Sequence, residues 1–127
     1  MRLVIDTNRY SDLGKATVEV EETLARADEV LMPFVVLAEL RVGFRRGSRW
    51  VENEKMLERF LAQPGYGVLY ADRATINFFT DLSVYLLDRG LPIPTHDKWI
   101  AALTLQHGLT LYSRDKHFDY LPQLQRI

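Results

Sequence analysis

"RLVID", residues 2–6, is an apolar run too brief for a helix, carries β-branched Val4 and Ile5, and ends in an acid. It reads as a strand with a carboxylate at its carboxyl end. "EVLMP" (29–33), "GVLYA" (67–71) and "LTLYS" (109–113) read the same way. Helical segments separate them. Residues 16–27 are acidic, and 34–46 carry Val35, Leu37, Ala38, Leu40 and Phe44. In 50–62, Met56, Leu57, Phe60 and Leu61 share one face at helical spacing. Asp72 is placed to cap a long helix through Leu87, with Ile76, Phe79, Leu82 and Leu86 as its stripe and Gly90 as its stop. A last helix spans 97–107 and closes at Gly108. Strands alternating with helices predict an α/β fold, a parallel sheet with helices on its faces. No linker, repeat or low-complexity tract interrupts residues 1–127, which read as a single domain.

Bulk properties narrow the function. A chain of 127 residues builds one core without staples. It has no cysteine, which excludes disulfides and thiolate metal sites. Its net charge of −1 argues against a generic nucleic-acid coat. Arg41, Arg45, Arg46 and Arg49 nonetheless lie in a stretch free of acids. No run approaches the ~20 apolar residues that span a bilayer, and Met1 leads straight into the first strand without a basic leader. A soluble, cytoplasmic protein with no membrane segment is the expectation.

The acids carry the chemistry. In a parallel sheet, ligands bind beyond the carboxyl ends of the strands, near the point where strand order reverses. Asp6 and Asp115 both emerge from such ends, and Asp97 opens a helix directed at the same crevice. Glu39 lies in mid-helix with Val35, Val36, Val42 and Gly43 three and four positions away, so a half-buried carboxylate is expected there. Leaving it unpaired would cost several kcal/mol. Taken singly, Asp97 reads as a helix cap and Asp115 as a turn residue. As a set, Asp6, Glu39, Asp97 and Asp115 form an all-oxygen group that selects a hard cation, Mg²⁺ or Mn²⁺, over zinc. Such ions suit in-line hydrolysis of phosphodiesters by water.

At four stretches the chain resembles a PIN-domain protein, and within that family a VapC-type toxin of a type II toxin–antitoxin pair. They are "LVIDTN" (3–8), "PFVVLAEL" (33–40), "PIPTHDKWIAALTLQHGLTLYSRDKHF" (92–118) and "LPQLQ" near the end. The resemblance implies a three-layer α/β/α sandwich around a central parallel sheet of four to five strands. It implies a Mg²⁺- or Mn²⁺-dependent endoribonuclease, a homodimer, and a cognate VapB-type antitoxin threading a peptide across the active-site groove. Carried over position by position, the metal-binding acids are Asp6, Glu39, Asp97 and Asp115. Ser113 stands where the family often has threonine and supports Asp6 or a water. Thr7 and Asn8 orient Asp6. Arg114 grips RNA phosphate, aided by Lys98, Lys116 and the arginines of 41–49. The helices of 34–62 supply dimer and antitoxin surface.

Other readings compete. Within the family, an RNA-processing nuclease outside a toxin–antitoxin pair is an alternative. An aspartyl-phosphate phosphatase would need a second Asp two residues after Asp6, where Asn8 stands. A non-catalytic binding module would use only the apolar residues of 34–62. Ser113, Asp115 and His117 hold the letters of a triad, but their i, i+2, i+4 spacing does not make a relay. His96 is a candidate substrate contact. His107 ends a helix, where a cation suits the dipole.

Overall fold

The computed structural model describes residues 1–127. Five strands form one sheet in the order β3-β2-β1-β4-β5: β1 (Arg2–Ile5), β2 (Glu29–Pro33), β3 (Tyr66–Leu69), β4 (Thr110–Tyr112) and β5 (Gln125–Arg126). Every neighbouring pair runs parallel. Six helices cover it in an α/β/α arrangement: α1 (Thr7–Gly14), α2 (Val18–Arg26), α3 (Phe34–Arg45), α4 (Trp50–Leu61), α5 (Arg73–Asp88) and α6 (Thr95–Gln106). A 3₁₀ turn, Lys116–Tyr120, links β4 to β5. No helix is long and apolar enough to cross a membrane.

β1 lies at the centre and is apolar along its inner length. Leu3, Val4 and Ile5 are all fully buried, as a strand covered on both faces requires. From β1 the chain builds β2 and β3 to one side, then returns to add β4 and β5 on the other. The reversal falls between β1 and β4, where Ile5 pairs with Tyr112. Asp6 and Ser113, the next residues of each strand, therefore leave the sheet side by side at the switch point.

Local chemistry sets both ends of α5. Asp72 caps α5 through a capping box with Thr75, and α5 stops before Gly90, which has φ +64°. Its stripe is narrower than the spacing suggests: Leu82 and Leu86 are buried, Phe79 packs against the core, and Ile76 is exposed. On α4, Leu57 and Phe60 are buried while Met56 faces solvent. α6 begins at Thr95 instead of 97, so Asp97 belongs to its first turn.

α1 departs from the sequence reading, which placed no helix over 7–14. Its residues TNRYSDLG hold no apolar stripe, and none is buried. Asp6 starts it by accepting a hydrogen bond from the Arg9 backbone N–H at 2.9 Å. Its consequence is large, because α1 then runs beside the carboxyl end of β4.

Candidate active site

All four acids line one open cleft of about 390 Å³, together with Thr7, Asn8, His96 and Pro94, and Ile100 is its hydrophobic member. Each acid arrives on a different segment. Asp6 caps α1, Glu39 stands in α3, Asp97 sits in the first turn of α6, and Asp115 caps the 3₁₀ turn after β4. No lysine or arginine lines the cleft.

Asp6 is the most buried of the four, 5% exposed. Its Oδ2 accepts a hydrogen bond from the Ser113 hydroxyl, and its Oδ1 accepts the Arg9 N–H. Burial pushes its carboxyl above the usual carboxylate range and Asp115 adds to this, against the two hydrogen bonds. The Ser113 oxygen in turn accepts the Asp115 backbone N–H at 3.1 Å. One hydroxyl therefore ties the first acid to the backbone of the fourth.

Glu39 differs from the expectation of half burial. Its side chain is 52% exposed, because α3 buries Val36, Leu37 and Leu40 and turns Val42 and Glu39 outward. The Thr7 hydroxyl donates to Glu39 Oε2 at 2.8 Å, so Thr7 steadies the second acid and not Asp6. His96 Nε2 also lies 2.8 Å from that oxygen without making a hydrogen bond.

Asp97 and Asp115 face each other across His117. The His117 Nδ1 lies 3.1 Å from Asp97 Oδ2 and 3.1 Å from Asp115 Oδ1. Burial raises the Asp97 carboxyl above its ordinary range, Asp115 raises it further, and His117 pulls it back. The donor atoms of Asp97, Asp115 and His117 all lie within 4.8 Å of one another, a spacing that fits a single cation. His117 was set aside in the sequence as part of a non-existent triad. No triad is present, since Ser113 serves Asp6, but the imidazole belongs to the site. Its place beside the fourth acid in "RDKH" was the available signal.

Arg114 was assigned to RNA, and the structure places it elsewhere. It does not line the cleft; its Nε and Nη2 donate to Asp12 Oδ2 and Oδ1, each at 3.1 Å. Three of the four arginines of 41–49 are also engaged outside the cleft. Arg41 pairs with Glu54 at 2.7 Å, Arg49 with Glu52 at 2.5 Å, and Arg45 lies over the Trp50 ring. Lys98 extends over Phe79, which stacks on Trp99. His107 is exposed at the end of α6.

A family model described as PIN domain matches residues 3–124. The chain belongs to the PIN domain family. Over 93 residues it is 27% identical to Ribonuclease VapC4 of Mycobacterium tuberculosis H37Rv, covering 73% of this chain and 72% of that protein. Its fold superposes on VapBC-1 from nontypeable Haemophilus influenzae with a TM-score of 0.89, at 22% identity over 100% of this chain and 97% of that one. VapBC2 from Rickettsia felis, solved bound to a DNA fragment from their promoter, gives 0.87 at 23% identity over 100% and 98%.

Proposed function

We propose that this chain is a Mg²⁺- or Mn²⁺-dependent endoribonuclease that hydrolyses RNA phosphodiester bonds, acts as the toxin of a toxin–antitoxin pair, and is neutralised by a VapB-type antitoxin. The observation that carries the reading is the cleft itself, where four carboxylates from four segments meet with no lysine or arginine among the residues that line it. Burial first, and the nearby Asp115 charge after it, raise the carboxyls of Asp6 and Asp97, so holding these groups ionised here has a cost. A divalent cation removes that cost.

Asp6, Glu39, Asp97 and Asp115 are the residues that would hold it, and their hard oxygen donors fit Mg²⁺ or Mn²⁺. Such an ion, when bound, neutralises phosphate charge and makes water a stronger nucleophile. The chain's own groups do the rest. Ser113 holds Asp6 in one rotamer, Thr7 holds Glu39 near the cleft, and His117 keeps Asp97 and Asp115 from springing apart. Asn8 and His96 line the mouth, where an RNA strand would pass.

The antitoxin and dimer parts of the reading draw on apolar surface. Tyr10, Leu13, Met56 and Phe60 line a second cleft of about 320 Å³ between α1 and α4, suited to apolar side chains of a peptide. Val42, Trp50, Val51 and Met56 are exposed on α3 and α4, available to a second copy or to the antitoxin.

Purified chain incubated with RNA should cleave it with Mn²⁺ or Mg²⁺ and stop with EDTA. Asp6→Ala should lower kcat about a thousandfold, as expected for a group the reaction requires. Full activity in that variant, or cleavage unaffected by EDTA, refutes the assignment. Expressed alone, the chain should arrest growth, and co-expression of a small adjacent reading frame should relieve the arrest.

A further inference from the structure

We propose that Asp12, which lies outside the acidic cleft, is a positioning residue that sets the place of Asp115 through Arg114. The kinetic part of this inference rests on the ribonuclease reading; the structural part does not.

Three consecutive residues leaving β4 are each held by a different residue of the α1 segment, three positions apart. The Arg9 guanidinium lies over the Tyr112 ring, 4.1 Å from its centroid. Ser113 donates its hydroxyl to Asp6. Arg114 places its Nε and Nη2 on the two oxygens of Asp12, each at 3.1 Å. The order along α1 does not follow the strand, since Tyr112 meets Arg9, Ser113 meets Asp6 and Arg114 meets Asp12, but all three holds come from residues 6, 9 and 12 of one short segment.

Asp12 is built for this contact. Its side chain is only 13% exposed, and Arg9 Nη1 also reaches its Oδ2 at 3.4 Å. Arg114 holds its carboxyl below the usual carboxylate range, so it stays charged. A two-point arginine–carboxylate fork fixes orientation as well as distance. The next residue is Asp115, whose backbone N–H donates to Ser113 and whose carboxylate caps the turn through the His117 N–H at 2.9 Å. With the fork intact, Asp115 follows two anchored residues. Without it, the segment keeps only Ser113 and the single bond from Arg126 Nη2 to the Asp115 carbonyl at 3.3 Å, and the fourth acid loses its register with Asp6 and Asp97.

The same geometry argues against Arg114 as a free phosphate contact, and the two roles predict opposite signs. If Arg114 grips RNA, releasing it with Asp12→Asn lowers KM, while Arg114→Gln raises KM and spares kcat. If it positions Asp115, both variants lower kcat and leave KM within about twofold.

The test uses the full chain with Asp12→Asn, Arg114→Gln, Arg114→Lys and the Asp12→Asn/Arg114→Gln double variant. In metal-free protein, amide hydrogen exchange at Asp115 and His117 should speed up in every variant, including Arg114→Lys, which keeps charge but lacks the fork. Mn²⁺ affinity by calorimetry and kcat should each fall about tenfold, the scale of a lost hydrogen-bonded charge pair. The double variant should be no worse than either single one, as a shared interaction requires. Unchanged exchange at Asp115 and His117 overturns the proposal. So does the opposed KM pattern, and so does a lowered melting temperature with Mn²⁺ affinity and kcat intact. A wild-type chain that cleaves no RNA, with exchange still responding to the variants, removes the ribonuclease reading and leaves the clamp standing.

Discussion

His117 Nδ1 lies 3.1 Å from Oδ2 of Asp97, joining the turn after β4 to the first turn of α6. The same nitrogen is equally close to Asp115 Oδ1, so one imidazole stands between two facing carboxylates. Replacing His117 with alanine removes a hydrogen bond and a charge that pull the Asp97 carboxyl down. The expected outcome is a further rise of the Asp97 titration in metal-free protein, followed by carbon-detected NMR of the carboxyl group. The acid limb of kcat/KM should move the same way, to higher pH. A carboxyl titration unchanged in the variant would contradict the contact.

Asp97 itself should cost the metal-free chain stability. Its carboxyl is raised above 3.8, first by burial and then by Asp115. The folded state therefore holds this proton more tightly than the unfolded chain. Stability contributed by the protonated form is lost as pH rises from about 3.8 through the folded value. Asp97→Asn should raise the melting temperature in EDTA at pH 7 by a few degrees, and by less near pH 4. Added Mn²⁺ should stabilise wild type and leave the variant nearly unmoved. A lower melting temperature for Asp97→Asn in EDTA at pH 7 would count against crowding in the cleft.

Thr7 steadies Glu39 through one hydrogen bond of 2.8 Å on an exposed carboxylate. Thr7→Val keeps the shape and deletes the hydroxyl. Stability should change by less than about 0.5 kcal/mol, as for an exposed site. Activity should fall about fivefold in kcat/KM, the equivalent of a net hydrogen bond near 1 kcal/mol. Equal losses in both would make Thr7 a structural residue only.

Gly65 enters β3 with φ +81°, and a Cβ added there would meet the Asp28 carbonyl oxygen at 2.7 Å. Its own carbonyl accepts the Val30 N–H at 3.0 Å, so the backbone cannot swing away without losing the β2–β3 start. Gly65→Ala should cost about 2 kcal/mol or more in urea unfolding, from the left-handed backbone plus the contact. A shift below about 0.5 kcal/mol would show that the loop relaxes freely.

How much of this was legible varied with how local its cause is. The cap at Asp72 and the stop at Gly90 depend on residues within one turn, and the sequence declared both, though not the reciprocal bond from Thr75. Helix α1 was invisible because hydrophobic periodicity is the main signal and α1 buries no residue. Glu39 was misplaced for a related reason. Its neighbours are apolar by letter, yet Val42 is 60% exposed, so letters did not reveal which way α3 faces the sheet. The Arg114 partner was hidden because a basic residue beside an acidic cleft suggests phosphate, and nothing in the string marks Asp12.

Four of the strands, five of the helices and the four carboxylates, three at the ends of elements and Glu39 in mid-helix, follow from the chain alone. Burial period, breakers and caps act over a few residues and are written where they act. The partners of those carboxylates follow only from the folded sheet. Asp6 and Ser113 are 107 positions apart, and they meet because β4 returns to lie beside β1. Arg114 reaches Asp12 for the same reason, across 102 positions. Contacts of that span are settled by which strand lies next to which, a property of the assembled core and of no single segment within it.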